Sequence, residues 1–336
     1  MARRALFAPF LALSLGLPAW PNPGAAADLT QIAIQEWAVP AGSSPHDPAI
    51  AADGRCWYSG QRNNTIGWID PKTGEVKVFS LPTPNSSPHG LVIDRRGQIW
   101  YMANGAGLIG KLDPATGKVT EYKLPSSPVH DPHTPIFDPQ GMLWFTEQAS
   151  SRIGRLNPET GEIVTRDTPT PKAQPHGIAL NSKGVPFFDL FNTNKIGSID
   201  PATLEITEYA LPEGARPRRI AITPDDLIWY TDYARGLLAC LDPVTKQVRE
   251  FASPGGAKSW PLSMSVGQDG AIWFTESGVR PNTLVRFDLK TEKMRTWYMP
   301  SGGGAARNMV TAEDGSLWIA CTTVNQMARV RIMPPK

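Results

Sequence analysis

Apolar positions in this chain recur on two scales. On the shorter scale they form runs of four to seven residues rich in β-branched and aromatic side chains, cut by turns at intervals too short for helices. Between 88 and 124 the runs are Gly90 to Ile93, Gln98 to Met102, Leu108 to Leu112 and Lys118 to Leu124, with Asp94-Arg95-Arg96-Gly97 and Asp113-Pro114-Ala115-Thr116-Gly117 as turns. Asp, Pro and Gly at these places supply the backbone angles that reverse a chain. No segment keeps a 3.6-residue apolar period over a helical length, so the chain reads as all-β.

On the longer scale the same text returns. Trp57, Trp100, Trp144, Phe187, Trp229, Trp273 and Trp318 follow one another at spacings of 42 to 45 residues. Around each lie a Pro-His-Gly-like opening, an Ile-Trp-Phe-Thr-like run, an Ile-Gly-x-Leu-Asp-Pro phrase, a Thr-Gly turn and a Val-x-Glu-Tyr-x-Leu-Pro ending. Seven copies of four strands predict a seven-bladed β-propeller occupying 28–336 as a single domain, with the central aromatic residues packed between blades. Gln35-Glu36-Trp37-Ala38-Val39-Pro40 reads as an outer strand with no inner strands before it, and the last repeat, ending Arg329-Val330-Arg331-Ile332, lacks one. An N-terminal strand over Gln35 to Val39 therefore completes the blade of Trp318 and removes an exposed edge.

Residues 1–27 read differently. Arg3-Arg4 precede the apolar run Ala5 to Trp20, and Ala25-Ala26-Ala27 follow as small residues suited to cleavage. This is the pattern of a signal peptide, and the stretch Leu6 to Leu17, interrupted by Pro9, is short for a membrane span. The expected mature protein begins near Asp28, is periplasmic or secreted, and keeps no membrane span. The formal charge of +2 and the absence of a basic run remove the electrostatic case for nucleic acid. Cys56, Cys240 and Cys321 are too few for a disulfide framework, although one pair remains open.

Candidate chemistry appears when the repeats are aligned. Eleven residues before each central aromatic stand His46, His89, His133, His176, Arg218, Leu262 and Arg307. This phase opens the innermost strand, so these side chains are expected to gather near the axis at one end of the disc. Three residues after each aromatic stand Gly60, Ala103, Glu147, Leu190, Asp232, Glu276 and Cys321. The third repeat combines His130-Asp131-Pro132-His133 with Phe145-Thr146-Glu147, two carboxylates beside an imidazole. Asp131 and Glu147 suit a hard cation such as magnesium, leaving His133 as a base. A polar ring around a water-filled channel accounts for the same residues, and Arg218 and Arg307 are open to an anionic group or to simple channel lining.

The Pro-His-Gly, Trp-Phe-Thr-Glu, Ile-Gly-Arg-Leu and Glu-Tyr-x-Leu-Pro phrases make the chain from 28 onward resemble the virginiamycin B lyase family, the streptogramin lyases. The resemblance implies a seven-bladed propeller conferring antibiotic resistance by magnesium-dependent elimination across the ester bond of a cyclic depsipeptide, without water as a reactant. The family's signature is Glu-Pro-His, a second Glu fourteen residues beyond the histidine, and a histidine at the same phase of the preceding blade. It falls on Asp131-Pro132-His133, Glu147 and His89. The resemblance thus makes His133 the catalytic base, Asp131 and Glu147 the ligands of a weakly held magnesium, and His89 and His176 the substrate-binding residues. Asp131 stands where the family has Glu, and His176 where it has Tyr. The implied partner is a small-molecule or cyclic peptide substrate of a monomeric protein. Two other readings stay open: a non-catalytic periplasmic propeller that binds a peptide or protein, and a propeller lactone hydrolase, whose site favours Asn and Asp over His and Arg.

Overall fold

The computed structural model describes residues 30–125 and 131–333. The proposed signal peptide and His130 lie outside the described residues. Seven four-stranded antiparallel sheets follow one another along the chain. Blades 1 to 6 cover 45–80, 88–123, 132–167, 175–210, 217–252 and 261–298, each with strands in sequential order. Blade 7 has three C-terminal strands, Ala306–Thr311, Leu317–Cys321 and Gln326–Met333, and takes its fourth from Gln31–Ala38. The seven-bladed propeller closed by an N-terminal strand is thus the architecture of the chain, and a single 3-10 turn at Thr322–Val324 is the helical content of the described residues.

The closing strand starts earlier than its sequence suggested. Gln31 pairs with Met333 and the register runs unbroken to Ala38 opposite Gln326. Ile32 and Ile34 extend the strand because their side chains pack against the core of blades 6 and 7. Trp37 stacks on Trp318 with ring centroids 5.2 Å apart, as Phe79 does on Trp57 and Tyr122 on Trp100 within single blades. The first strand of the chain therefore supplies the outer aromatic that the last repeat lacks.

The central aromatic residues fill the interfaces between blades. Trp144 and Trp318 are 1% exposed, and the cluster around Trp57 takes in Leu91, Ile99 and Tyr101 of the next blade. The glycine of the Ile-Gly phrase has a steric cause: a Cβ on Gly154 would lie 2.0 Å from the Phe145 ring. Only a residue without a side chain lets the third strand close over the aromatic of the second. Cys56, Cys240 and Cys321 are buried, unpaired parts of this packing.

Candidate functional site

Each innermost strand enters its sheet with an irregularity that displaces the ring residue from the ladder. In blade 3 the register passes from Pro132 opposite Glu147 to Pro135 opposite Phe145, and blades 1, 2 and 4 break at the same place. A bulge of this kind re-aims a side chain. It directs His46, His89, His133, His176, Arg218, Leu262 and Arg307 into one axial cavity of about 140 Å³. His133 lies between His89 and His176, with ring centroids 3.7 and 4.4 Å away, and His46 follows His89 at 3.6 Å. The expected base and the two expected substrate-binding histidines are thus neighbours.

Hydroxyls behind the ring tie the blades together. The Ser59 hydroxyl accepts from the Asp47 amide and donates to the His89 carbonyl, and Thr146 does the same for Thr134 and His176. In blade 4 the equivalent residue is Asp189, which accepts from the Gly177 amide at 2.8 Å. Burial pushes its carboxyl up to about 8.

Burial, reinforced by neighbouring histidines and by Arg219, holds His133 well below the ordinary imidazole range; burial and Arg219 act in the same direction on His46, His89 and His176. All four are neutral at pH 7, the form in which an imidazole accepts a proton. His133 Nδ1 is 2.9 Å from the Thr134 hydroxyl, while His89 Nδ1 and His176 Nδ1 are buried with no partner among the described residues.

Asp131 and Glu147 meet at the turn that follows the second strand of blade 3. Asp131 accepts from the Ala149 amide at 2.5 Å and the Ser150 amide at 3.3 Å. The Ser150 hydroxyl lies 3.3 Å from Asp131 Oδ1 and 3.1 Å from Glu147 Oε2. Burial pushes the Glu147 carboxyl up to about 7, with the Asp131 charge adding to the shift and Ser150 and Arg152 opposing it. Burial likewise raises Asp131 against the pull of the Ala149 and Ser150 amides. Glu147 Oε1 is buried and has no partner among the described residues. A carboxylate pair with one vacant buried oxygen and its proton held abnormally tightly fits a hard divalent cation, whose charge would offset both effects.

A second group, His46, Asp47 and His89, has its potential ligand atoms within 4.8 Å of one another. It is poorly suited to a cation, since Arg219 approaches Asp47 to 3.7 Å and Asp47 already engages His46 Nδ1 at 2.7 Å. Arg219 is the central residue that alignment of the repeats did not single out. It follows Arg218, is 4% exposed, and reaches from blade 5 towards Thr134 of blade 3 and the Arg307 carbonyl of blade 7. It lines both the small axial cavity and a wider one of about 930 Å³ from the opposite end, so its guanidinium forms the partition between them. The signal available in the sequence was a second arginine directly after the ring position, in one repeat only.

The fold has counterparts among solved structures. A streptogramin B lyase structure superposes with a TM-score of 0.82 at 27% identity, over 92% of this chain and 100% of that one. Selenomethionine-substituted virginiamycin B lyase from Staphylococcus aureus gives 0.81 at 24% identity, over 90% of this chain and all of that one. A catalytically inactive histidine-to-alanine variant of the Staphylococcus aureus enzyme with quinupristin gives 0.80 at 23%, with the same coverage. The two Staphylococcus aureus structures share the fold. By sequence, no curated protein matches the chain. The virginiamycin B lyase family model matches residues 28–190 and 186–333, virtually all of the propeller. With seven blades, an axial ring of histidines and that match along its length, the chain belongs to the virginiamycin B lyase family.

Proposed function

We propose that this protein is a carbon–oxygen lyase that opens the ester bond of a cyclic depsipeptide of the type B streptogramin class. The observation that carries the reading is the vacant, buried Oε1 of Glu147 beside Asp131, in the blade that also places His133 in the ring. Neutral His133 takes the proton from the carbon next to the carbonyl. That electron pair forms a carbon–carbon double bond, the threonine carbon–oxygen bond breaks, and the ring oxygen leaves as part of a carboxylate. No water is consumed. His89 and His176, on either side of His133, orient the substrate with their free Nδ1 atoms. Asp131 and Glu147 would hold magnesium, which supplies positive charge for the ester carbonyl oxygen. We also propose, from the signal-peptide pattern of residues 1–27, that the mature protein lies outside the cytoplasm; N-terminal sequencing of natively expressed protein should then find residues 1–27 missing.

The test is incubation of purified protein with a type B streptogramin and magnesium, followed by mass measurement. Elimination leaves the mass unchanged and creates a double bond. A product heavier by one water would identify a hydrolase, and an unchanged antibiotic would favour a propeller that binds without catalysis.

A further inference from the structure

The axial cavity contains an excess of positive charge that elimination at His133 does not use. Arg218, Arg219 and Arg307 all line it, and no carboxylate is among its described lining residues. The Nε of each guanidinium is buried and has no partner among the described residues. Arg219, the most buried of the three, makes only long contacts: 3.4 Å to the Thr134 hydroxyl, 3.4 Å to the Arg307 carbonyl and 3.7 Å to Asp47. Among the described residues, Asp47 is the single carboxylate in ion-pair reach of this group. Asp189 lies near enough to feel Arg218 and Arg219, but burial keeps it largely protonated at neutral pH.

Guanidinium groups remain charged inside proteins, and three of them converging on one small cavity repel one another at short range with little solvent to screen them. Buried N–H donors left without acceptors add to the cost. One oxyanion removes both deficits, because each of its oxygens accepts several N–H bonds and its charge opposes all three cations. His89 and His176, whose Nδ1 atoms are also without partners among the described residues, line the same cavity, and each Nδ1 can donate when it carries the ring's proton. A volume of about 140 Å³ is enough for one small tetrahedral or planar oxyanion. We propose that the axial cavity is a receptor for a single oxyanion group, either a free inorganic anion or a carboxylate at the tip of a larger ligand. A carboxylate is also what the elimination above releases; that link alone rests on the lyase reading.

The experiment is isothermal titration of the full protein at pH 7 and constant ionic strength, without magnesium and without turnover, against phosphate, acetate, an N-acetylated tripeptide acid and the same tripeptide as its C-terminal amide. Arg218→Gln and Arg307→Gln are the variants, because both side chains are only partly buried and tolerate replacement better than Arg219. One-to-one binding of at least one anion, weakened about tenfold or more in each variant, is expected. Binding of the tripeptide acid but not its amide identifies a ligand-borne carboxylate; binding of phosphate alone identifies a free ion. No saturable binding of any anion at millimolar concentration, or equal affinity in parent and variants, overturns the proposal. A protein that binds none of them and still opens the antibiotic would refute the receptor and leave the lyase assignment intact.

Discussion

Blades 3 and 6 carry nearly the same second strand, Leu143–Glu147 reading LWFTE and Ile272–Glu276 reading IWFTE, yet the two glutamates live differently. Glu276 is fully engaged: the Ser253 hydroxyl and the Gly255 amide donate to Oε1, and the Thr283 hydroxyl to Oε2. It fastens the loop between blades. At the matching places blade 3 has Leu124 for Ser253 and Arg152 for Thr283. Glu147 keeps only the Ser150 hydroxyl, and its Oε1 is left without a partner among the described residues. At the opening of the blades, Asp131 and His133 correspond to Trp260 and Leu262. Nearly identical strand text thus yields a structural clamp in one blade and an unpartnered carboxylate oxygen in the other, and the residues that decide between them lie outside the shared phrase.

The largest way to break the comparison is at the ring. His133→Ala should lower the rate of antibiotic opening by on the order of 10²-fold to 10⁴-fold, the usual loss for a general base. Leu262→Ala in blade 6 should leave the rate within a few-fold of the parent. Next come the glutamates. Glu276→Gln replaces an acceptor-only group, bound by three donors, with one whose amide nitrogen cannot accept, and should cost about 1–3 kcal/mol in urea unfolding. Glu147→Gln should cost less than about 1 kcal/mol while removing the magnesium dependence of the reaction. Leu124→Ser with Arg152→Thr offers Glu147 the partners of Glu276, and should gain stability while weakening the response to magnesium.

A smaller effect distinguishes the histidine-bearing blades from blade 6 by pH. The four ring histidines have folded values below their ordinary 6.5. The unfolded chain therefore takes up protons first as pH falls, so stability is present above about 6.5 and is lost progressively below it. Asp189 acts in the opposite sense, since its folded value near 8 means stability lost as pH rises from the ordinary carboxylate range through about 8. The melting temperature should peak near neutrality, and His176→Asn should flatten the acid side. The smallest expected change is Asp131→Glu, which restores the family's residue and should alter magnesium affinity several-fold without moving the melting temperature. A loss of activity as large as that of Asp131→Asn would show that the position is not a metal ligand.

What the sequence by itself determined is the repeat and everything that follows from periodicity. A spacing of about 43 residues, four β-rich runs per copy and an unpaired strand at each end specify seven blades and their closure, because strands with exposed edges must find partners. The ring phase was legible for the same reason: equal positions in equal repeats arrive at equal distances from the axis. The start of the closing strand at Gln31 was not legible, since Ile32 and Ile34 show their use only against the core they cover. Nor was the role of Arg219, whose side chain crosses the axis to blades 3 and 7, 85 and 88 residues away in sequence. The tertiary structure also decided that Glu147 is vacant while Glu276 is clamped, and that the four histidines are neutral. Those properties depend on which hydroxyls, amides and charges approach from other strands and on how completely water is excluded, and no single repeat contains that information.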